Sequence, residues 1–304
     1  MTRKGLEKRS IPRMQTEVTF LGFGALEIGR DWGLGDADEK RRPGDVEAGE
    51  VLHAVLDLGI NLIDTASAYH RSEERIGLYI SDRRGEYVLA SKCGEHNDEP
   101  GTYYDFSYGA IAESIDRSLR LLKTDVIDLM QIHFGPDPEG TLDRGETVAA
   151  MKDAQAAGKI RYLGASIDGR LATRCIESGD FDVMQLGYSL IAQGNADNIK
   201  LAREKGIGVL IRSGLAAGVL TSRVIPHLSG EVRFSKEKVL SLLDLVGNDG
   251  DALTSLALNF LYGNDGISSL LAGSKRVDHV RANLALLERQ VDPAVMQKAI
   301  EIGR

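Results

Sequence analysis

Residues 61–77, NLIDTASAYHRSEERIG, contain one complete structural unit of this chain. The stretch begins as a buried strand, continues into a polar loop that holds Asp64 and Tyr69, and opens a helix at Ser72. Ser72 is expected to be the N-cap of that helix, because a serine side chain satisfies free backbone N–H groups there. The order of strand, loop and helix is the building block of α/β folds.

The same alternation recurs along the whole chain, where short apolar runs are separated by longer amphipathic segments. The candidate strands are FLGFGA (20–25), INLID (60–64), YVLASK (87–92), VIDLMQIH (126–133), IRYLGAS (160–166), VMQLGY (183–188), GVLIRS (208–213) and SSLLAGS (268–274). Strands that are apolar throughout are typical of a parallel sheet covered by helices. Eight such strands favour a closed (β/α)8 TIM barrel, with a doubly wound open sheet as the alternative.

Three segments fall outside this regular alternation. The stretch LEKRSIPRMQTEVTF (6–20) is interpreted as a β-hairpin that closes the barrel floor. Segments 214–234 and 247–266 are longer than a barrel needs, so they indicate insertions or extra helix. No linker interrupts the pattern, and residues 1–304 are therefore predicted to form a single domain.

Composition excludes several classes of function. The chain has 304 residues and a net charge of −8, which argues against nucleic-acid partners and against an anionic membrane surface. Its two cysteines are too few for a disulfide framework or a four-thiolate metal site. No window is apolar enough for a signal peptide or a membrane span, so a cytoplasmic setting is expected. Composition does not predict the oligomeric state.

Four polar residues stand at or just after successive strand ends. Asp64 ends the second strand with Tyr69 in the loop after it, Lys92 ends the third strand, and His133 ends the fourth. Taken one at a time, each has an ordinary structural interpretation. In a parallel barrel, however, the carboxyl ends of the strands share one rim, which is the face that carries active sites. The four residues are therefore predicted to form one site.

The types of these four residues indicate acid–base chemistry. A tyrosine titrates near 10, but a nearby ammonium stabilises its phenolate, and a carboxylate would hold that ammonium in place. A histidine beside the phenol could orient a substrate carbonyl. Such a set suits protonation of a developing alkoxide, as in carbonyl reduction. One His and one Asp are a poor metal site, and the GxSxG motif of hydrolases is missing.

Carbonyl reduction requires a hydride donor, yet no GxGxxG dinucleotide fingerprint is present. The informative segment is LLAGSKRVDHVRANL (270–284), at the end of the last strand and the start of its helix. Lys275, Arg276, His279 and Arg281 make it a local basic cluster. A helix N-terminus at the last strand of a barrel commonly binds phosphate, so a phosphate-bearing cofactor is predicted here.

These segments together resemble the aldo-keto reductase superfamily over nearly the whole chain. The stretches IDTASAYHRSEERIG, VLASKCG, DVIDLMQIHF, YLGASI, VMQLGY, RSGLAAGVL and AGSKRVDHVRANL follow in the family's order. The resemblance implies a (β/α)8 barrel that binds NADPH without a Rossmann domain. It also implies a catalytic tetrad of Asp64, Tyr69, Lys92 and His133, with Tyr69 as general acid.

The resemblance further implies contacts along a bound dinucleotide. Among them, the basic pair Lys275 and Arg276 favours NADPH over NADH. The implied contacts are Ser166 and Gln185 at the nicotinamide carboxamide, Arg212 against the ring, Ser213, Leu215 and Gly218 near the pyrophosphate, Ser274, Lys275 and Arg276 around the ribose phosphate, and His279 and Asn283 at the adenine end. Two positions depart from the family: Ile167 stands in place of the usual Asn, and Gly214 in place of the usual Pro.

Three functions follow in order of preference. The first is an NADPH-dependent oxidoreductase that reduces an aldehyde or ketone with Tyr69 as general acid. The second is an NADPH-binding sensor or accessory subunit with little turnover. The third is a cofactor-independent lyase or isomerase with Lys92 as an amine nucleophile.

Substrate choice is expected to come from the loops at 26–44, 94–106, 134–145 and 214–234. Two of these loops carry aromatic residues that suggest an aromatic pocket wall. These residues are Trp32, Tyr103, Tyr104 and Phe106.

Overall fold

The computed structural model describes residues 3–228 and 235–304. Eight parallel strands close into a barrel, in which each strand pairs with its neighbours along the chain and the last pairs with the first. The barrel strands are β3 (Leu21–Gly24), β4 (Leu62–Asp64), β5 (Val88–Cys93), β8 (Ile127–His133), β9 (Ile160–Ser166), β10 (Val183–Gly187), β11 (Gly208–Arg212) and β12 (Ser269–Gly273). The closed ring confirms the (β/α)8 prediction, and the open-sheet alternative is wrong.

Helices surround this barrel and bury their apolar faces against the outside of the strands. Their bounds are α1 (Leu26–Gly29), α2 (Ala37–Lys40), α3 (Asp45–Asp57), α4 (Ser72–Tyr79), α5 (Tyr108–Leu122), α6 (Pro138–Arg144), α7 (Glu146–Ala156), α8 (Gly169–Ser178), α9 (Ala196–Glu204), α10 (Lys236–Leu245), α11 (Gly250–Tyr262), α12 (Val277–Leu287) and α13 (Pro293–Gly303).

The predicted N-terminal hairpin is present and covers one end of the barrel. It consists of β1 (Lys8–Ile11) and β2 (Thr16–Thr19), which pair antiparallel. Ile11, Met14 and Val18 are buried in one apolar cluster with residues of the barrel strands. The hairpin therefore closes the floor of the barrel and keeps water from that end of the interior.

The segment between β11 and β12 is enlarged, as the sequence predicts. Region 247–266 contains helix α11, and α10 is an additional helix before it. The predicted insertion at 214–234 contains 3-10 turns at Ala216–Gly218 and Ser222–His227, and its residues 229–234 lie outside the described part of the chain. The helices α10, α11 and α13 share a second apolar core.

Two local expectations differ from the structure. Helix α4 begins at Ser72, so Arg71 occupies the N-cap position, and the Ser72 hydroxyl donates to the carbonyl of Ala25 at 2.8 Å. The N-cap prediction for Ser72 is therefore wrong, because tertiary packing uses the hydroxyl between elements. The loop after β5 forms a second hairpin, β6 (Glu95–Asp98) with β7 (Gly101–Tyr104), which its mainly polar sequence did not indicate.

A test of the barrel packing is offered by two helical glycines. A Cβ at Gly77 of α4 would lie 2.0 Å from the backbone oxygen of Leu121, whereas a Cβ at Gly109 of α5 meets nothing within 4 Å. We expect Gly77→Ala to lower the free energy of unfolding by about 1–3 kcal/mol, because the helices must separate. Gly109→Ala is the matched control and should raise it by up to about 1 kcal/mol. Urea unfolding checks both values, and equal effects would contradict this packing.

Candidate active site

The four predicted rim residues converge at the carboxyl end of the barrel. Asp64 is the last residue of β4, His133 is the last residue of β8, and Lys92 lies in β5 between them. Tyr69 reaches the same point from the turn that connects β4 to α4. The rings of Tyr69 and His133 meet edge to face with their centroids 6.1 Å apart. The parallel register of the strands thus brings residues distant in sequence to one rim.

The ammonium of Lys92 is the centre of this group. It is fully buried and lies 2.5 Å from Asp64 Oδ2, 2.9 Å from the carbonyl oxygen of Thr65 and 3.3 Å from the hydroxyl of Tyr69. Three partners match the three N–H donors of an ammonium. Lys92 is therefore fixed in place and links the carboxylate to the phenol.

The other oxygen of Asp64 is held by two amides. Gln131 Nε2 and Gln185 Nε2 each donate to Asp64 Oδ1 at 2.9 Å, and Gln185 also donates to Gln131 Oε1 at 3.1 Å. Sequence reasoning assigned Gln185 to the nicotinamide and missed Gln131. The signal was available, since Gln131 stands two residues before His133 and a strand repeats its face every second residue.

Burial and charge pairing together decide the protonation of Tyr69 and Lys92. Burial raises the pKa of Tyr69 above its ordinary value, and the Lys92 ammonium offsets only part of that rise. Burial alone would lower the pKa of Lys92, but the charges of Asp64 and Tyr69 raise it above its ordinary value. The sequence led us to expect a lowered tyrosine pKa. The structure instead gives a phenol that keeps its proton and a lysine that keeps its charge.

These charge states bear on the lyase alternative. An amine nucleophile must lose its proton and reach a substrate carbonyl. Lys92 has a raised pKa, is fully buried and has its donors engaged. The arrangement therefore opposes Schiff-base chemistry and suits proton donation by Tyr69.

His133 has an acidic partner that the sequence did not reveal. Glu95 of the second hairpin brings Oε2 to 2.9 Å from His133 Nδ1, and its Oε1 accepts from the hydroxyl of Thr102 at 2.6 Å. Burial alone would raise the pKa of Glu95, but contacts with His133, Thr102 and Arg30 lower it to about 2. No sequence signal marks Glu95, because its place depends on the fold of the hairpin.

A cavity of about 630 Å³ opens above these residues and extends towards α12. This volume is in the range of sites that bind small molecules and cofactors. Most predicted cofactor contacts line it together with Asp64, Tyr69 and His133. The lining contacts are Ser166, Gln185, Arg212, Ser213, Leu215, Gly218, His279 and Asn283. The cavity thus joins the predicted acid–base residues to most of the predicted dinucleotide contacts.

Three predicted contacts do not line the cavity: Ser274, Lys275 and Arg276. The hydroxyl of Ser274 accepts from the backbone N–H of Arg276 at 3.0 Å, and the ammonium of Lys275 donates to the carbonyl oxygen of Arg41 at 2.7 Å. Arg223, which the sequence reasoning missed, lines the cavity instead. The basic character at this end is therefore shared between two loops.

The loop after β11 has an unusual backbone. Ser213, Ala216 and Ala217 adopt positive φ angles of 58°, 50° and 55°, and Gly218 adopts 94°. Such conformations are costly for residues other than glycine and cluster at ligand sites. A Cβ at Gly218 would lie 2.6 Å from Arg223 Nη2. The glycine thus allows the arginine to approach the loop, and the strained loop forms one wall of the cavity.

The two departures from the family pattern have physical explanations. Ile167 is buried in the main apolar core and does not line the cavity, so it offers no polar contact there. Its neighbour Asp168 is bonded to the guanidinium of Arg212, which does line the cavity. A Cβ at Gly214 would lie 2.4 Å from Leu270 Cδ1. A larger residue at Gly214 would therefore require the Leu270 side chain to shift.

Neither a metal-binding cluster nor a membrane-spanning helix occurs among the described residues. Within residues 3–228 and 235–304, no group of three or more His, Cys, Asp or Glu side chains could hold a metal ion. Over the same ranges, no helix has the length and apolar character required to cross a membrane.

A closed parallel barrel whose cavity ends on a lysine-linked tyrosine suits an oxidoreductase that acts on carbonyl compounds. The chain belongs to the aldo/keto reductase family, whose model matches residues 20–303. It is therefore an enzyme that uses a nicotinamide cofactor on small-molecule carbonyl compounds.

Individual relatives cover nearly the whole chain. L-galactose dehydrogenase of Arabidopsis thaliana is 29% identical over 92% of this chain and 88% of its own length. An NADH-specific methylglyoxal reductase of Escherichia coli is 27% identical over 94% and 95%. The holo structure of the aldo-keto reductase AKR11C1 from Bacillus halodurans has a TM-score of 0.82 and 28% identity, and the match covers 97% of this chain and 95% of that one.

The energetic weight of the buried ion pair can be measured directly. We expect Lys92→Met to lower the free energy of unfolding by about 3–5 kcal/mol, because it leaves the Asp64 carboxylate buried without its partner. The double variant Lys92→Met with Asp64→Asn should recover part of this loss. Denaturant unfolding of the single and double variants gives the coupling energy. A loss below about 1 kcal/mol, which is typical of exposed ion pairs, would contradict a stabilising role for the buried pair.

Proposed function

We propose that this protein reduces an aldehyde or ketone to the alcohol, with NADPH as hydride donor and Tyr69 as general acid. The observation that carries the proposal is the contact of 3.3 Å between the Tyr69 hydroxyl and the buried Lys92 ammonium, at the end of the cavity. A phenol in this position can donate its proton to an oxygen in the cavity while the ammonium stabilises the phenolate that forms.

The proposed reaction assigns one task to each residue of the tetrad. Nicotinamide, when bound, supplies the hydride to the carbonyl carbon. Tyr69 donates a proton to the carbonyl oxygen, and Lys92 holds the phenol and balances its developing negative charge. Asp64 holds Lys92 in position and keeps it charged. His133, whose ring lies beside that of Tyr69, orients the carbonyl oxygen.

The residues that line the cavity suit the parts of the proposed cofactor in order from nicotinamide to adenine. Ser166 and Arg212 line it near the rim residues, and the strained loop around Ser213 and Gly218 suits a pyrophosphate because backbone N–H groups in such loops bind anions. His279 and Asn283 line the far end. The cavity lining thus runs from the rim residues to α12, which supports the proposed placement of an extended dinucleotide.

The proposed preference for NADPH rests on the basic residues at the far end. Arg223 lines the cavity, and Lys275 and Arg276 lie on the adjacent turn before α12. A 2′-phosphate would gain charge-assisted hydrogen bonds there. NADH remains the alternative, since one relative is named as NADH-specific.

The substrate end of the cavity is partly aromatic. Trp32 and Phe134 line it, and Phe106 stacks on Phe134 with centroids 6.4 Å apart. Tyr104 stacks on Phe106 in turn, while Tyr103 stacks on His96 and does not line the cavity. We propose that this wall packs against the carbonyl substrate.

The assignment of residues 1–304 to one domain and the cytoplasmic location stay predictions.

Replacing Tyr69 tests the general acid. We expect Tyr69→Phe to lower kcat for NADPH-dependent aldehyde reduction by about 100-fold to 10,000-fold, since the proton donor is lost. Cofactor affinity should change little. Steady-state assays with a panel of reactive aldehydes check this, and Tyr103→Phe on the exposed hairpin is the control. Wild-type turnover in Tyr69→Phe would refute the assignment.

Cofactor preference is tested by titration. We expect NADPH to bind more tightly than NADH. The double variant Lys275→Met with Arg276→Met should lower the affinity for NADPH by about 10-fold to 100-fold, because charged hydrogen bonds are lost. NADH affinity should stay the same. Fluorescence titration measures both constants, with Arg203→Met, which pairs with Asp265 and does not line the cavity, as control. Equal losses for the two cofactors would argue against a phosphate contact.

A further inference from the structure

A carboxylate on the loop after β9 reaches across to an arginine at the end of β11. Arg212 is the last residue of β11, and its guanidinium donates to Asp168 Oδ2. Arg212 lines the cavity, whereas Asp168 does not. The cavity is thus in contact with the positive member of this ion pair, and the negative member lies behind it.

Asp168 is held in place through its other oxygen. Oδ1 accepts from the backbone N–H of Gly187 and from Asn195 Nδ2, each at 2.8 Å. Asn195 is 5% exposed, and its amide also donates to the carbonyl oxygen of Gly187 at 2.8 Å and accepts from the backbone N–H of Gly169 at 3.0 Å. The surrounding loops therefore fix the carboxylate, and the carboxylate in turn fixes the guanidinium.

A glycine beside Arg212 leaves room for the pair. Gly187 is the partner of Arg212 in the parallel register of β10 and β11. A Cβ at Gly187 would lie 3.1 Å from Asp168 Oδ2 and 3.2 Å from Arg212 Nη1. These distances are shorter than ordinary van der Waals contact, so a larger residue would require one of the two charged side chains to shift. The glycine thus gives the ion pair its space at the edge of the cavity.

Arg212 lies between the rim residues and the strained loop. In the register of β10 and β11 it stands two residues beyond the level of Gln185, whose amide reaches Asp64 at 2.9 Å. Ser213, the first residue of the strained loop, follows it directly. A nicotinamide must lie near Tyr69, because hydride and proton go to the same carbonyl group. We therefore expect Arg212 beside the nicotinamide end of the cofactor rather than its adenine end.

The charge of the nicotinamide ring differs between the two oxidation states of the cofactor. Loss of a hydride to the carbonyl carbon leaves the ring with one positive charge, whereas the reduced ring is neutral. A lone guanidinium nearby would repel the oxidised ring and act little on the reduced one. A carboxylate bonded to that guanidinium offsets the repulsion. The charge of Asp168 therefore acts chiefly on the binding of the oxidised cofactor.

We propose that Asp168 sets the balance between oxidised and reduced cofactor by neutralising Arg212, so that the cavity accepts the positive ring that hydride transfer leaves. Asp168 is a positioning residue, since it contacts Arg212 and does not line the cavity. Its role rests on the proposed function, because that function places the nicotinamide at the rim.

The decisive experiment measures the dissociation constants of NADP⁺ and NADPH by calorimetry for wild type and Asp168→Asn. Asparagine keeps the size of the side chain and an oxygen for Gly187 and Asn195, but it removes the charge. We expect the ratio of the Kd for NADP⁺ to the Kd for NADPH to rise by about 10-fold, as for a unit charge about 10 Å away at an effective dielectric constant of about 20. Asp168→Glu should restore part of the wild-type ratio. Asp168→Asn with Arg212→Met removes both charges and should return the ratio close to the wild-type value.

A matched control pair lies away from the cavity. Asp143 of α6 pairs with Arg174 of α8 at 2.6 Å, and neither lines the cavity. Asp143→Asn should leave the ratio unchanged. A residue with a purely structural role would weaken both forms of the cofactor alike. A wild-type ratio in Asp168→Asn, whether both affinities stay or both fall together, would therefore overturn the role of Asp168.

The binding ratio separates this role from the proposed function. Binding does not require turnover, so a wild type that binds NADP⁺ and NADPH but reduces no aldehyde or ketone would reject the proposed reduction alone. An unchanged ratio in an active enzyme would reject the role of Asp168 alone. If NAD⁺ and NADH bind more tightly, the same ratio is measured with them, because the charge of the ring is the same. A wild type that binds neither cofactor would overturn both proposals.

Discussion

The buried ion pair of Lys92 and Asp64 is the interaction on which the rest of the site depends. Two charges without water are costly, and they are tolerated only where geometry and further hydrogen bonds compensate. Here the compensation comes from the carbonyl of Thr65 and from the amides of Gln131 and Gln185, which lie on different strands. The pair can exist only if the barrel closes with its strands in this register. The tyrosine contact is then a consequence of the same geometry.

The two ends of the barrel interior have opposite character. At the floor, the N-terminal hairpin inserts Ile11 and Met14 against apolar side chains of the strands. At the other end, the interior positions carry the ion pair and its amides. Sealing the floor keeps water away from the ion pair and directs solvent access to the rim, which carries the cavity. This asymmetry explains why burial raises the pKa of Tyr69, whereas the charges of Asp64 and Tyr69 overcome burial and raise the pKa of Lys92.

The loops adapt a shared barrel to this particular chain. After β9, Ile167 joins the core at the position where the family pattern has Asn, and the next residue, Asp168, is bonded to Arg212. After β11, the loop has a strained backbone, and Gly218 leaves room for Arg223 to approach it at the cavity. After β5, a hairpin brings Glu95 to His133. Each change lies in a connection between strands, where the barrel tolerates variation.

The sequence by itself determined the eight strands, the floor hairpin and the four rim residues. These follow from short-range rules: apolar runs predict strands, and residues at strand ends share a rim once the barrel closes. Only the tertiary structure decided that Glu95 faces His133, that Gln185 donates to Asp64, and that Arg223 rather than Lys275 lines the cavity. It also decided that burial outweighs the ammonium in setting the pKa of Tyr69. The physical reason is that burial and charge pairing depend on atoms far apart in the chain, and no local pattern records their distances.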